Sequence, residues 1–574
     1  MPKLTIDNIQ VEAEPGDTIL KAAAKIGIKI PTLCHHPDQA VKANCRICVV
    51  EVEGQRVLQP ACSFPASEGL IVKTNSSKAR LARRNILELI LAHHNRECLT
   101  CPRGGGCELQ TVSEMLNFNG EIRYENHMRG HGKDYSSPSI VRDPSKCIVC
   151  ERCIYACSQI QTVNVLSKEN RGFHTTVATA YNLPLSETSC VFCGQCVQAC
   201  PVGALTMRDD TKEVWKAIED PDKWVVAQCA PTVRITLAEA LGEPPGTVST
   251  GRLVTAMRAL GFNAVFDTDF SADLTIMEEG SELLHRIQNG GTLPMITSCS
   301  PGWVNFCEAY YDDQLAHLST CKSPQQMFGA VLKTYYADKC GRDIDSLYSV
   351  SIMPCTAKKH ERLRPAMASS GRRDVDCVLT VQELARMIKS AGLDFARLPE
   401  SDFDLPFGLG SGAGEIFGAT GGVMEAALRT VYEIVTGREL ENIEFTDVRG
   451  FAGVKEAAVD LDGTEVKIAV AHGLSNARLL MDQLREGQSP YHFIEVMACP
   501  GGCIGGGGNP IKNWAKMDKR LDAVYETDRS LPIRKSHKNP AIKQLYDEFL
   551  KEPLGELPHK LLHTHYSSRA ALTK

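Results

Sequence analysis

KCIVCERCIYACSQ (146–159) and SCVFCGQCVQACP (189–201) decide the reading of the first third of this chain. Both carry C-x2-C-x2-C-x3-C, first at Cys147, Cys150, Cys153 and Cys157, then at Cys190, Cys193, Cys196 and Cys200. The second run begins 43 residues after the first. The chain holds 24 cysteines in 574 residues, and most fall in clusters of this kind. A disulfide framework fits badly. The chain is long, its start (MPKLTIDNIQVEAEPGDTI) has acidic residues where an export signal has its apolar core, and cytosolic thiols stay reduced. The close spacings point to metal.

Composition bounds the rest. At roughly 150 residues per domain the length suggests about four domains. Lys and Arg number 63 against 69 Asp and Glu, a net charge of −6, with 43% hydrophobic and 23% charged residues. That is globular composition, and it argues against disorder and against a broad nucleic-acid-binding face. No apolar run reaches the length of a membrane span, and the reading is a cytoplasmic protein.

The repeat resembles the bacterial two-cluster ferredoxins, in which the fourth cysteine of each run crosses to the other cluster. The resemblance implies one 4Fe–4S cluster on Cys147, Cys150, Cys153 and Cys200, and another on Cys190, Cys193, Cys196 and Cys157. Pro201 follows the second run as in that family; Ser158 stands there in the first. Upstream, Cys34, Cys45, Cys48 and Cys62 can hold a 2Fe–2S cluster or a tetrahedral zinc, and the neighbouring clusters favour iron. The close pair Cys45/Cys48 is expected to serve one iron. IPTLCHHPD followed by NCRICVVEVEG resembles the ferredoxin-like start of the large iron–sulfur subunit of complex I, though the first gap is ten residues where plant-type ferredoxins have four. Between these sets lies His94-x3-Cys98-x2-Cys101-x5-Cys107, a ligand set for zinc or for a cubane with one imidazole ligand. His93 competes with His94 at a spacing one longer. The run PRGGGC gives the chain freedom to fold around a cluster.

From about residue 211 helical patterns (GRLVTAMRALG, SELLHRIQNG, LTVQELARMIKSAG) alternate with short apolar runs (WVVAQCA, AVFDTD, LPMITSC, YSVSIMPC, VKIAVAHG, YHFIEVMAC). This predicts an α/β domain with partly parallel sheets, and Cys299, Cys355 and Cys499 just beyond strand C-termini, where such folds place ligands. The glycine-rich runs lack G-x-x-x-x-G-K-[ST], so a phosphate loop is disfavoured.

TSCSPGW (297–303), MPCTAKK (353–359) and EVMACPGGCIGGGG (495–508) resemble the three signature segments of iron–iron hydrogenases, and the N-terminal array matches the family's long form with four accessory clusters. The resemblance covers essentially the whole chain. It implies reversible 2H⁺ + 2e⁻ ⇌ H₂ at an H-cluster, a 4Fe–4S cubane joined through one cysteine to a two-iron subsite with carbonyl, cyanide and azadithiolate. By resemblance Cys355 and Cys499 are cubane ligands, Cys503 bridges, Lys358 donates to a cyanide, and Thr232, Ser323, Met353, Phe417 and Met497 line the pocket. One position departs. The family has two adjacent cysteines before Pro-Gly-Trp, a proton-relay thiol and then a cubane ligand; here the pair is Cys299-Ser300. Ligand softness favours Cys299 as the fourth ligand, with Ser300 ligation as the alternative. The family's proton route falls on Glu279, Ser319, Glu282 and Arg286, with Glu279/Glu282 and Glu282/Arg286 each sharing a helix face. Without the resemblance these residues read as a solvated helix face. Cys229, Cys307, Cys321, Cys340 and Cys377 read as buried or free thiols, and HKLLH (559–563) as a solvated helix lacking the glutamate of a zinc motif.

The expected architecture is multidomain α+β and α/β. It comprises a β-grasp 2Fe–2S domain (1–80), a 4Fe–4S domain with one histidine and three cysteine ligands (81–118), a two-cluster ferredoxin domain (119–210) and a catalytic domain (211–574). Expected cofactors are one 2Fe–2S cluster, three accessory 4Fe–4S clusters and the H-cluster. Expected partners are a ferredoxin or an NADH-oxidising flavin and iron–sulfur complex, together with maturation factors. A rival enzyme reading is an electron-transfer subunit of complex I or formate dehydrogenase type. A rival non-enzyme reading is an iron–sulfur assembly protein related to hydrogenases.

Overall fold

The computed structural model describes residues 1–120, 122–125, 132–440, 442–461 and 463–573. Part of the polar connection expected at 119–139 lies outside these residues. The chain divides into two compact units: 1–159 with 164–186 and 196–206, and 160–163 with 187–195 and 207–574.

The first unit begins with a hairpin. Lys3–Ile6 pairs antiparallel with Ile9–Glu12, and Asp7 and Asn8 both take positive φ, as a two-residue turn of right-handed strands requires. Lys3–Ile6 pairs parallel with Ile71–Lys73, and Val49–Val52 joins that strand to Gln59–Pro60 in a five-stranded sheet. Leu4, Ile6, Val50, Val52 and Val72 bury one face with Ile19 of the helix Ile19–Lys25, and Cys48 and Cys62 sit in the same core. The helix Ser77–Ala92 follows, its first turn capped by the Ser76 hydroxyl accepting from Ala79 N. It ends one residue before His93, and the helix Glu108–Met115 starts directly after Cys107.

The second unit is built on two four-stranded sheets. In one, Ala264–Asp267, Trp224–Cys229, Leu347–Met353 and Cys377–Thr380 are all parallel. In the other, Met295–Ile296, Phe493–Met497 and Thr464–His472 are parallel and Val454–Leu461 closes the edge antiparallel. Strands such as Phe493–Met497 are buried along their whole length, which is why they read as continuous apolar runs. Cys355 follows Met353 by two residues, Cys499 follows Met497 by two, and Cys299 follows Ile296 by three, so the strand-end expectation holds. Among the described residues no helix is long and apolar enough to cross a membrane.

Candidate active site

In the first unit the thiols gather as the spacings require. Cys45 N donates to Cys34 Sγ at 3.5 Å, the Cys34 and Cys45 thiols hydrogen-bond, and Cys48 pairs with Cys62 in the same way. All four thiols lie close enough to influence one another, with thiol hydrogen bonds joining Cys34 to Cys45 and Cys48 to Cys62. Cys98 and Cys101 lie near enough to Cys107 to raise its thiol, after the larger effect of burial. Gly104 is required there, since a Cβ would stand 2.7 Å from Cys98 O. His94 is buried, and the neighbouring His93 packs its ring 5.7 Å from Phe173.

Cys147, Cys150, Cys153 and Cys200 line one small cavity with Pro144, Leu166, Val177 and Val202. The repeat is written in the backbone as well. Val149 and its counterpart Phe192 have φ of 53° and 60°; Glu151 and its counterpart Gly194 have 64° and 71°. A β-branched or aromatic residue at positive φ is strained, and both runs take this strain at the same position. Cys157 and Cys196 belong to the first unit, Cys190 and Cys193 to the second.

The second unit holds a cavity walled by the ends of both sheets. Cys299, Ser300, Cys355, Cys499 and Cys503 line it with Lys358, Thr232, Met353, Phe417 and Met497. Ser323 does not; its hydroxyl donates to Glu361 Oε2 at 2.9 Å. Burial pushes the Cys355 and Cys503 thiols up to about 12, each helped by Cys499 and opposed by Lys358. Cys299 shares Lys358 with them and has Cys503 as a neighbour, but its largest influence after burial is Glu279, which raises its pKa ahead of the lowering by Lys358. Ser300 caps the helix Pro301–Tyr310 at its N-terminal end, and its Oγ accepts from Ala498 N at 3.2 Å.

Behind Cys299 runs a line of acids on the helix Thr268–Gln288. Glu279 is buried, neither of its oxygens has a hydrogen-bond partner within 3.5 Å among the described residues, and burial lifts its pKa to about 8, with Glu282 adding to the rise. Glu282 accepts from Ser319 Oγ at 3.0 Å and Thr320 N at 3.0 Å, and pairs with Arg286 Nη2 at 2.6 Å. Arg286 is fixed further by the carbonyls of Leu318 and Ala316.

Two residues near the cavity are not singled out by their sequence pattern. Glu361 Oε2 takes hydrogen bonds from Lys358 (3.0 Å), Ser323 and Gln325 (3.1 Å), and so orients the lysine, whose Nζ also donates to Cys299 O at 3.1 Å. Its only signal is the Lys358/Glu361 i,i+3 spacing. Glu495, fully buried in the middle of the strand Phe493–Met497, accepts from Gly421 N and Met424 N, both at 2.7 Å. Cys229 is buried against Met257, and Cys340 is exposed.

Soft thiols converging at parallel strand ends, with one lysine and a buried acid line, define an iron–sulfur oxidoreductase that moves protons. The model of the iron only hydrogenase large subunit, C-terminal domain, matches residues 223–507, and that of the iron hydrogenase small subunit 515–569. A 2Fe-2S iron-sulfur cluster binding domain matches 2–77, the NADH-ubiquinone oxidoreductase-G iron-sulfur binding region 83–121, and the NADH-quinone oxidoreductase subunit 3 ferredoxin-like domain 137–206. The NADP-reducing hydrogenase subunit HndD of Solidesulfovibrio fructosivorans is 50% identical over 100% of both chains. Iron hydrogenase 1 of Clostridium pasteurianum is 39% identical over 99% of this chain and 100% of its own. A variant of the apo [FeFe]-hydrogenase HydA1 from Chlamydomonas reinhardtii superposes with TM-score 0.57 at 42% identity, covering 63% of this chain and 99% of that one. The chain belongs to the iron-only hydrogenase family and is an oxidoreductase acting on hydrogen, with 2Fe–2S and 4Fe–4S domains ahead of its catalytic domain. The cavity's donors fit the group this family carries: buried thiolates soft enough for iron, glycines (Gly502, Gly506) where the wall comes close, and a lysine for an anionic end.

Proposed function

We propose that the cavity holds the H-cluster, with Cys355, Cys499 and Cys503 on its cubane and Cys503 bridging to the two-iron subsite. When bound, that group supplies the reversible chemistry 2H⁺ + 2e⁻ ⇌ H₂. The convergence of these thiols with Lys358, and of Cys299 with Glu279, carries the reading. Lys358, anchored by Glu361 and Cys299 O, offers its remaining N–H to cyanide. Thr232, Met353, Phe417 and Met497 exclude water, and Ser323 acts indirectly by holding Glu361. The neighbours of Cys299 support assigning its Sγ to proton relay, with Ser300 at the fourth ligand position, which reverses the preference drawn from ligand softness. Arg286 holds Glu282 at the entrance, and protons pass from Glu282 through Ser319 Oγ to Glu279 and then to Cys299 Sγ. Glu279, neutral at pH 7, holds the proton to be delivered.

Cys34, Cys45, Cys48 and Cys62 would hold one 2Fe–2S cluster, His94, Cys98, Cys101 and Cys107 a 4Fe–4S cluster, and the ferredoxin repeat two more, which when bound would supply one-electron transfer. The second of these sets, Cys190, Cys193, Cys196 and Cys157, rests on spacing alone. The domains are the β-grasp domain (1–80), the domain with one histidine and three cysteine ligands (81–118), the two-cluster ferredoxin (119–210) and the catalytic domain (211–574). The likeness to HndD favours a nicotinamide-linked flavin and iron–sulfur complex as partner. A soluble ferredoxin is the second reading, favoured by the likeness to Iron hydrogenase 1. Dedicated maturation factors are required to build the two-iron subsite. A cytoplasmic setting, where thiols stay reduced, suits the cysteine content. Infrared bands of carbonyl and cyanide in matured protein, with hydrogen evolution from a reduced dye, test the assignment. Hydrogen evolution from protein made without maturation factors overturns it.

A further inference from the structure

HKLLH is not one helical face. The helix Glu556–Leu562 ends before His563, and His563 turns inward while His559 stays exposed, their rings 4.5 Å apart. The segment around His563 is held by a short antiparallel pairing. Cys321 bridges His563, Lys322 N donates to Leu562 O at 2.8 Å, and Thr564 N donates to Thr320 O at 2.7 Å. This fixes three donors of different kinds. Among the described residues, ligand atoms of Glu282, Cys321 and His563 all lie within 4.8 Å of one another, and all three residues are buried. Cys321 Sγ is 3.7 Å from Glu282 Oε2. His563 shares Nδ1 with Thr320 Oγ1 at 2.8 Å and Nε2 with Glu278 Oε2 at 3.1 Å. Glu278 also accepts from the Tyr546 hydroxyl and from Leu554 N.

We propose that Glu282, Cys321 and His563 form a site for a divalent transition-metal ion of the zinc class, and that an ion held there stops proton delivery to the cavity. One thiolate, one imidazole and one carboxylate are the ligand types zinc takes, and three protein ligands leave a fourth position for water or Glu278. Charge favours a dication. Glu278 and Glu282 lie on one buried helix segment, Glu282 paired with Arg286 and Glu278 with His563. The donors come from three chain segments pinned by backbone bonds, so little rearrangement is needed. The consequence rests on the proton route proposed above: Glu282 with a metal on its carboxylate no longer exchanges a proton with Ser319.

The test uses matured full-length enzyme and zinc chloride. Hydrogen evolution is expected to fall with rising zinc and to recover with a chelator, with iron content and the infrared bands unchanged. Zinc X-ray absorption is expected to give one bound ion with one sulfur ligand. Cys321→Ala, His563→Ala and the milder His563→Gln are each expected to raise the zinc concentration for half-inhibition about tenfold or more, measured against each variant's own zinc-free rate. A zinc shell without sulfur, or inhibition equal in parent and all three variants, overturns the site. Zinc bound through sulfur with an undiminished rate upholds the site and overturns the route through Glu282.

Discussion

The cysteine loops of the first unit and the catalytic cavity of the second solve one problem in opposite ways. Both gather thiols for iron. In the first unit the ligands come from short contiguous runs, and the loop itself does the folding, through residues such as Val149 and Glu151 held at positive φ. In the second unit the ligands stand at the ends of three strands far apart in sequence, and the sheets do the folding. The thiols do not divide along the same line. Hydrogen bonds draw Cys34 and Cys48 down and push their partners Cys45 and Cys62 up, while burial raises Cys150 and Cys153 in the first unit as it drives Cys355 and Cys503 up to about 12 in the second. A carrier needs a cluster near the surface of a small fold; hydrogen chemistry needs a dry cavity with a guarded proton entrance.

Breaking the comparison is easiest at the ligands. Cys355→Ala and Cys503→Ala are expected to lose every carbonyl and cyanide band and all hydrogen evolution. Cys147→Ala is expected to keep the bands and dye-driven evolution while losing electron exchange with the physiological partner. Equal loss of bands in all three variants refutes the division between carriers and cavity.

The next effect lies at the proton entrance. Glu279→Gln keeps the size of the side chain and removes its proton, so turnover is expected to fall about 10²–10⁴-fold with the bands intact. Cys299→Ala is expected to behave alike, and Ser300→Ala to damage the cubane; the reverse pattern makes Cys299 the ligand. The sign of the pH effect follows from burial. Glu279 is held neutral, with a folded pKa of about 8 against an ordinary 4.5. Its favourable contribution is full below 4.5 and is lost as pH rises through about 8. Thermal melts should therefore show Glu279→Gln gaining on the parent as pH rises from 4.5 to about 8, and no further gain above that.

How much of this was legible in sequence follows the same division. The accessory clusters were readable because iron dictates the cysteine spacing within each run. The strand ends were readable because buried parallel strands are continuously apolar. The partners of each thiol were not, since Cys34 meets Cys45 only through the fold. The helix Thr268–Gln288 was legible only in its last half. Its first half buries Asp269, Asp273 and Glu278, and a buried acid breaks the apolar period that marks a helix. Glu361 and Glu495 were hidden for the same reason. The edge strand Val454–Leu461 is half exposed and carries no continuous apolar run.

The smallest effects test whether the two cysteine runs are one backbone written twice. At their equivalent positions the first run has Glu151 and the second Gly194, both left-handed. A Cβ at Gly194 would stand 2.5 Å from Thr356 Oγ1 and 3.0 Å from Gly507 Cα, so Gly194→Ala combines a backbone penalty with a clash. It is expected to destabilise by about 3 kcal/mol, read as a lower melting temperature. Glu151→Gly runs the exchange the other way. It removes a left-handed non-glycine, worth about 1 kcal/mol, and gives up a salt bridge from Lys168 whose lysine is half exposed, worth about 0–1 kcal/mol. Glycine also adds freedom to the unfolded chain, which takes back about 0.5 kcal/mol. The terms nearly cancel, so the melting temperature should move by no more than about 2–4 °C in either direction. A drop much larger than that means that Glu151 does more than turn the loop, and that the two runs share a spacing without sharing a design.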